Sequence, residues 1–374
     1  MDQNDIFKRL LKLLDEGKSA VLATLIRTKG STPQKPGARL IFTEEGKSFG
    51  TLGGGCVEAD VIHWAKELLA ASRTPLYRKY HLNADLAARD GLVCGGSMYF
   101  FIDPFIPGSS NHALLKTIVQ LLDSNKSAVL ATIIEAPHTE WVGKKMVLSE
   151  GGLWEGDWPS ELKWDSIIPA DMLTRSFGGL EIVAPSEELA VCVETLVAAP
   201  LLILMGGGHV NRALAQFAGS LGFRIVVADD RPEFANRERF PRAQQILVGD
   251  YSDILQQIRV PANSFIIIAT RGHKFDEDAT RAAAQTPAGY IGLLGSKRKC
   301  ILIAERLLES GISPERLQHI HGPVGLDIGA RTPEEIALSI LSEIILMRQG
   351  GTGKPLSIFS EDWIRKIANK HDRE

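Results

Sequence analysis

The stretch Leu201–Arg231, LLILMGGGHVNRALAQFAGSLGFRIVVADDR, decides how the second half of the chain folds. An apolar strand run leads into Gly206-Gly207-Gly208, an amphipathic helical segment, a second apolar run and then Asp229. Glycines at such a turn let the backbone approach a pyrophosphate, and the helix start that follows supplies amide donors and a partial positive charge. Asp229 stands 21 residues beyond Gly208, at the end of the second strand, where an acidic side chain meets a ribose hydroxyl. The pattern predicts a Rossmann-like domain with Gly206, Gly208, His209 and Asp229 as candidate ligand contacts. The third fingerprint position holds Asn211 instead of glycine or alanine, which either loosens helix–strand packing or supplies a hydrogen bond to a ligand.

Apolar runs continue at 244–248, 264–270 and 290–294, alternating with helical stretches, and this alternation predicts a doubly wound parallel sheet. Ligands of such sheets lie at the carboxyl ends of the strands. Three stretches fall there: Thr270–His273, Gly292–Arg298 and His321–Asp327. Gly295, Ser296 and Lys297 open a helix and are candidate phosphate contacts, although Lys297 and Arg298 read equally well as a solvated charged face. His273 with Asp276 reads as a catalytic pair, a metal site or a surface hydrogen bond. His319-x-His321 is too short a pattern for zinc, and no metal site is expected. Thr332-Pro333-Glu334-Glu335 predicts a capped helix start with proline at its first position. The glycine-rich run at 350–355 lacks phosphate-loop spacing and has Pro355 where a metal-binding hydroxyl is needed.

The first half contains a repeat. LLDEGKSAVLATLI (13–26) returns as LLDSNKSAVLATII (121–134) at an offset of 108 residues. Each copy joins an amphipathic helix to an apolar strand; in the first, Ile6, Leu10, Leu13 and Leu14 recur at helical spacing. One such unit cannot bury its own apolar face, so two copies packed together are expected. The copies then diverge, the first into GSTPQKPGARL and GTLGGGCVEAD, the second into EAPHTEWVGKKMVL and GGLWEGDWPS. PFIPGSSN (104–111) reads as the linker between them. The expected organisation is an N-terminal α/β domain with a duplicated helix–strand unit over 1–190 (repeats 1–106 and 112–180), a Rossmann-like domain over 191–348, and a tail over 349–374.

Gly53-Gly54-Gly55-Cys56-Val57-Glu58 precedes a stretch with Val61, Ala65 and Leu68 at helical spacing. Consecutive glycines can aim several amides at one anion, and a cysteine at a helix mouth has its thiolate stabilised by the helix dipole. Glu58 opposes that effect if its carboxylate lies close. Cys94 sits beside Gly95 and Gly96 in a second cysteine–glycine loop. Both cysteines read either as small apolar filler or as reactive thiols. Cys192 and Cys300 fall in helix-like stretches and read as filler.

Composition bounds the function. With 42 Lys and Arg against 45 Asp and Glu, a net charge of −3 argues against holding nucleic acid by bulk charge. No uncharged apolar run reaches the ~18–20 residues of a membrane helix, and the N-terminus lacks a secretory pattern. Four widely spaced cysteines make no disulfide framework, so a cytoplasmic protein with reduced thiols is expected. The 35 glycines of 374 exceed the usual ~7 %, and they cluster in the loops just named.

In order, GSTPQKPGARL, GTLGGGCVEADV, GLVCGG, GGGHVNRALA, VVADDRPEFANRERFP, TRGHKFDEDA, YIGLLGSKRK and GPVGLDIGARTPEEIALSI resemble the XdhC/CoxI family of xanthine dehydrogenase accessory proteins, from about Ala20 to Arg348. The resemblance is thinnest over 112–180. It implies an N-terminal α/β domain, a C-terminal Rossmann domain and a carrier rather than an enzyme. Such a protein binds molybdenum cofactor, protects it while a cysteine desulfurase installs its sulfido ligand, and delivers it to a molybdenum hydroxylase subunit. Carried onto this sequence, that role points to Gly53, Gly54, Gly55, Cys56, Glu58 and Cys94, with Cys56, Glu58 and Cys94 contacting thiol, sulfur or molybdenum. Gly206, Gly208 and Asp229 would hold a nucleotide or pterin phosphate. Asn211 and Asp230 depart from the family pattern and bear on ligand identity. Two other readings stay open: an NAD(P)-dependent oxidoreductase, for which no Tyr-x-x-x-Lys pair is present, and a nucleotide-sensing regulatory protein. A homodimer is the expected assembly.

Overall fold

The computed structural model describes residues 3–70, 74–82, 96–149, 152–172, 178–357, 359 and 363–365. Helix α1 (Gln3–Asp15) buries Ile6, Leu10, Leu13 and Leu14, the face their spacing predicts. Strands β1 (Ala20–Lys29), β2 (Arg39–Thr43) and β3 (Ser48–Gly50) lead to helix α2 (Gly55–Ala70), followed by β4 (Leu76–His81) and β5 (Ser97–Phe105). They form a five-stranded antiparallel sheet in the order β3-β2-β1-β5-β4.

The pattern then recurs. Helix α3 (Ser110–Asp123) precedes β6 (Ala128–Glu135), β7 (Lys145–Ser149), β8 (Trp154–Asp157), β9 (Gly179–Ser186) and β10 (Leu189–Leu196). Their sheet has the corresponding order, β8-β7-β6-β10-β9. Register matches as well as order. Thr24 lies opposite Arg39 and Leu22 opposite Asp103, while Thr132 lies opposite Lys145 and Leu130 opposite Glu194.

One face of each sheet packs with α1 and α3 into a shared core that includes Leu10, Leu22, Ile118 and Leu130. The other face of the first sheet is covered by α2, whose Val57, Val61, Ala65 and Leu68 meet Val21, Ala23, Phe100 and Ile102. On the second sheet no α-helix takes that place among the described residues. Ile167, Ile168 and Met172, flanked by Trp158 and Trp164, cover Val129, Ala131 and Val193 instead.

The second unit runs from Pro200. It contains β11 (Leu201–Met205), α4 (His209–Ser220), β12 (Arg224–Asp229), β13 (Gln245–Val248), α5 (Tyr251–Ile254), β14 (Ser264–Ile268), α6 (His273–Ala284), β15 (Tyr290–Leu293), α7 (Lys297–Glu309), α8 (Pro314–Leu317), β16 (Ile320–His321) and α9 (Pro333–Gln349). All six strands are parallel, in the order β13-β12-β11-β14-β15-β16. This is the doubly wound Rossmann arrangement, with its switch point between β11 and β14. Helices α4 and α9 cover one face through Leu214, Ala218, Ile340 and Ile344, and α6 and α7 the other through Ala279, Ala283, Ile303 and Leu307. Helix α9 starts as predicted. The Thr332 side chain accepts the Glu335 amide at 3.2 Å, and Glu335 Oε2 accepts the Thr332 amide at 2.9 Å.

Three local expectations differ from the structure. Cys192 lies in strand β10, not in a helix; its run is apolar at nearly every residue because β10 sits between β6 and β9 and is buried throughout. Such a run carries no period that separates strand from helix. Because β10 pairs within the second sheet, the first unit extends to Ala199 rather than ending at residue 190. The linker expected at 104–111 is shorter, since Pro104 and Phe105 belong to β5 and pair with Val21 and Ala20.

Candidate functional site

In the first unit the glycine loop is built from three consecutive left-handed residues, Gly53, Gly54 and Gly55, with φ of 111°, 75° and 60°. A side chain at Gly53 would collide with Pro33, whereas a Cβ at Gly54 would meet nothing within 4 Å. A side chain at Gly96 would run into the Ser31 and Lys29 carbonyls. The GSTPQKPG segment therefore lies against both the glycine loop and the residue that follows the Cys94–Gly95 pair. Cys94 itself lies outside the described residues. Cys56 is a half-buried thiol in the first turn of α2.

Glu58 settles what the loop amides do. Its Oε1 accepts the Thr51 hydroxyl at 2.7 Å, the Leu52 amide at 2.8 Å and the Gly54 amide at 3.0 Å. The loop thus already grips a carboxylate, and that carboxylate is the chain's own. Burial alone would raise the Glu58 pKa, but the Thr51 hydroxyl and the loop amides outweigh it and hold the group below the usual carboxylate range. The sequence could not place Glu58, on a helix one turn away, as the ligand of its own loop. Thr51 lies in the GTLGGGCVEADV motif, but nothing in the sequence marks its hydroxyl as a partner of Glu58.

The second glycine loop repeats this principle. Asp229 is fully buried, and its Oδ2 accepts the Gly207 amide at 2.7 Å and Arg231 Nη2 at 3.2 Å. Its Oδ1 accepts the Arg231 amide and Nε, both at 3.0 Å. Burial would raise this carboxyl, but Arg231 and the Gly207 amide lower it. With about four acceptor directions per carboxylate, no direction is left for a ribose diol unless Arg231 moves. Arg231 stacks 3.7 Å from the Phe234 ring centroid, and Arg239 Nη2 donates to the Gly207 carbonyl at 3.0 Å. Side chains at Gly206 and Gly207 would collide with the Ala269 and Phe234 carbonyls, so close backbone packing requires both glycines. Of the three, Gly208, the N-cap of α4, faces open space. His209 is exposed at the first position of that helix.

Asn211 is explained by its neighbours. It is buried, and its Nδ2 donates to the Gly206 carbonyl at 2.7 Å and the Met205 carbonyl at 3.2 Å, tying the helix to the end of β11. Asp230 receives Arg271 Nη2 at 2.7 Å, so an ion pair joins the ends of β12 and β14 beside the loop after β11. His273 and Asp276 form no pair with each other. Asp276 accepts the Thr270 amide at 3.0 Å and hydroxyl at 2.7 Å and is ion-paired with Lys299, which also donates to the Leu294 carbonyl. Lys299 thus turns inward, while Lys297, the candidate phosphate contact, is exposed at the start of the same helix. Gly295 lies against the Lys299 side chain, and Ser296 caps α7 by accepting the Lys299 amide at 3.3 Å. These contacts link the loops after β11, β12, β14 and β15 at one end of the sheet.

Comparison with known proteins agrees with this construction. The XdhC and CoxI family model matches residues 13–80, which include the first glycine loop, and the XdhC Rossmann domain model matches 202–344. A Bacillus subtilis (strain 168) protein, named as a probable subunit of xanthine dehydrogenase, is 30% identical over 339 residues, covering 90% of this chain and 96% of that protein. The chain belongs to the XdhC and CoxI family. Its relatives include the Escherichia coli (strain K12) molybdenum cofactor insertion chaperone PaoD, 24% identical over 350 residues, with 93% of this chain and 89% of that protein covered. A crystal structure of a Bacillus halodurans protein described as a xanthine dehydrogenase superposes with a TM-score of 0.75 at 28% identity, covering 95% of this chain and 98% of that one. Among the described residues of this family member, no helix is long and apolar enough to cross a membrane.

Proposed function

We propose that this chain is a maturation factor for molybdenum cofactor, holding it at the glycine–cysteine loop of the first unit and passing it to a hydroxylase of the xanthine dehydrogenase type. One observation carries the reading: a half-buried thiol opens a 16-residue helix beside a glycine whose surroundings are open, on a loop packed against the GSTPQKPG segment. The name of the relative PaoD supports the same cargo. The residues fit the group in kind. Molybdenum cofactor is an anionic pterin with a soft metal centre, and a thiolate is a soft ligand.

Cys56 would face the metal or its sulfur, and the first-turn amides of α2 would face the anionic end. Glu58, already bonded to the Leu52 and Gly54 amides, would shape the loop instead of contacting sulfur or molybdenum. The cofactor, when bound, supplies the oxidation–reduction chemistry, which takes place in the client enzyme. The chain holds, orients and shields it while a cysteine desulfurase provides the sulfido ligand. In the second unit, Gly208, His209, Gly295, Ser296 and Lys297 remain the candidates for a nucleotide or pterin phosphate.

The reading is tested by purifying the protein from a host that makes the cofactor and assaying molybdenum and oxidised pterin. Wild type should carry both and Cys56→Ala should lose most of each, with thermal unfolding unchanged. An empty wild type, or an equal load in Cys56→Ala, overturns it.

A further inference from the structure

Among the described residues of the first unit, the charged side chains of Arg39, Asp103, Lys145 and Glu194 are buried. They form two ion pairs, Arg39 with Glu194 and Lys145 with Asp103 at 2.7 Å, and all four line one cavity of about 50 Å³ together with Thr24 and Thr132. The 108-residue offset shows their relation. Thr24 corresponds to Thr132, and these lie opposite Arg39 and Lys145; Leu22 corresponds to Leu130, and these lie opposite Asp103 and Glu194. Each repeat thus lends its cation to the other's acid, as in an isologous dimer contact.

The equivalence extends to the adjoining hairpins. A side chain at Gly50 would strike the Arg39 carbonyl, and one at Gly156 the Lys145 carbonyl. Beyond that point Asp157 is paired with Lys145 as Thr51 is bonded to Arg39, but Asp157 Oδ1 accepts Lys144 Nζ at 3.0 Å. Among the described residues only Thr51 leads on to a glycine loop. The Arg39 carbonyl accepts the Thr51 amide at 3.0 Å, and the Thr51 hydroxyl donates to Glu58, which holds the glycine loop. The Lys145 hairpin instead runs into the tryptophan-rich segment.

We infer that the second repeat positions the glycine–cysteine loop of the first, with Glu194 and Arg39 as the positioning residues acting through Thr51 and Glu58. Arg39 is the first residue of β2, with one residue between it and the GSTPQKPG segment, so its anchored guanidinium fixes where the Arg39 carbonyl presents itself to Thr51. The inference rests on this loop being the functional site. Its readout is the Cys56 thiol itself, so a protein that failed to carry molybdenum cofactor would leave the inference standing.

The experiment measures iodoacetamide alkylation of Cys56 in the full chain by peptide mass spectrometry, well below the unfolding midpoint of each variant. Arg39→Met with Glu194→Met removes one pair without leaving a buried charge alone, and Asp103→Met with Lys145→Met does the same for its equivalent. The first double variant should alkylate about fivefold faster than wild type, and the second at the wild-type rate. Arg39→Lys with Glu194→Asp rebuilds the first pair from the residue types of the second and should return the wild-type rate. Equal acceleration in both methionine variants would mean general loosening and overturn the inference. So would acceleration in neither, or failure of the Lys–Asp pair to restore the rate.

Discussion

The two sheets of the first unit share strand order and register and are joined by two equivalent buried ion pairs, yet among the described residues only the first carries a glycine loop. The difference begins after the edge hairpin. In the first repeat the chain turns through Gly53–Gly55 into α2, which covers the sheet; in the second, Trp158, Trp164, Ile167, Ile168 and Met172 do the covering. A duplicated scaffold has thus kept its core twice and its loop once. Residues of the shared core should behave alike in both repeats, and residues beyond the hairpin should not.

The ion pairs put the likeness to its most severe test. Glu194→Ala and Asp103→Ala each strand a buried cation, which costs about 3–5 kcal/mol. Denaturant midpoints should fall by similar amounts in the two variants, and a large disparity would break the equivalence. The covering layers sharpen the contrast. Leu68→Ala and Met172→Ala each empty a buried site, at about 2–5 kcal/mol. Both should lower the midpoint, but only Leu68→Ala should raise the Cys56 alkylation rate, because only α2 carries that thiol.

The smallest effect is pH-linked and confined to the first repeat. The Glu58 carboxyl is held below its ordinary value, so its contribution is present above the unfolded pKa of about 4.3 and is lost as pH falls through the folded value. The thermal midpoint of wild type should exceed that of Glu58→Gln near neutral pH, and the gap should close on acidification. A gap that stays constant would contradict the assigned role.

Much of this architecture is legible in the sequence, for reasons that differ between the units. In the second unit a strand, three glycines, a helix, a strand and Asp229 follow one another directly, so local pattern implies the fold. In the first unit, LLDEGKSAVLATLI and its echo disclose the duplication. The buried ion pairs stay hidden because Arg39 and Glu194 are 155 residues apart, and their meeting depends on register across several strands. The same limit applies to Asp229. Its spacing marks it as a ribose ligand, but whether the carboxylate is free depends on how the Arg231 side chain folds back upon it. The sequence pairs Asp276 with His273, yet helical phase brings Lys299 to Asp276 instead.

The carboxylates inside the loops have an electrostatic consequence at a distance. Glu58, Asp229 and Asp276 each accept loop amides, so every one of these loops brings its own counter-ion, on a chain whose net charge is already −3. Beyond a Debye length of about 8 Å at physiological ionic strength such loops project little positive potential. An anionic guest is not drawn in by a far field of the kind that makes association steeply salt-dependent. Capture of such a guest becomes a matter of fit at contact, in keeping with the carrier role proposed above.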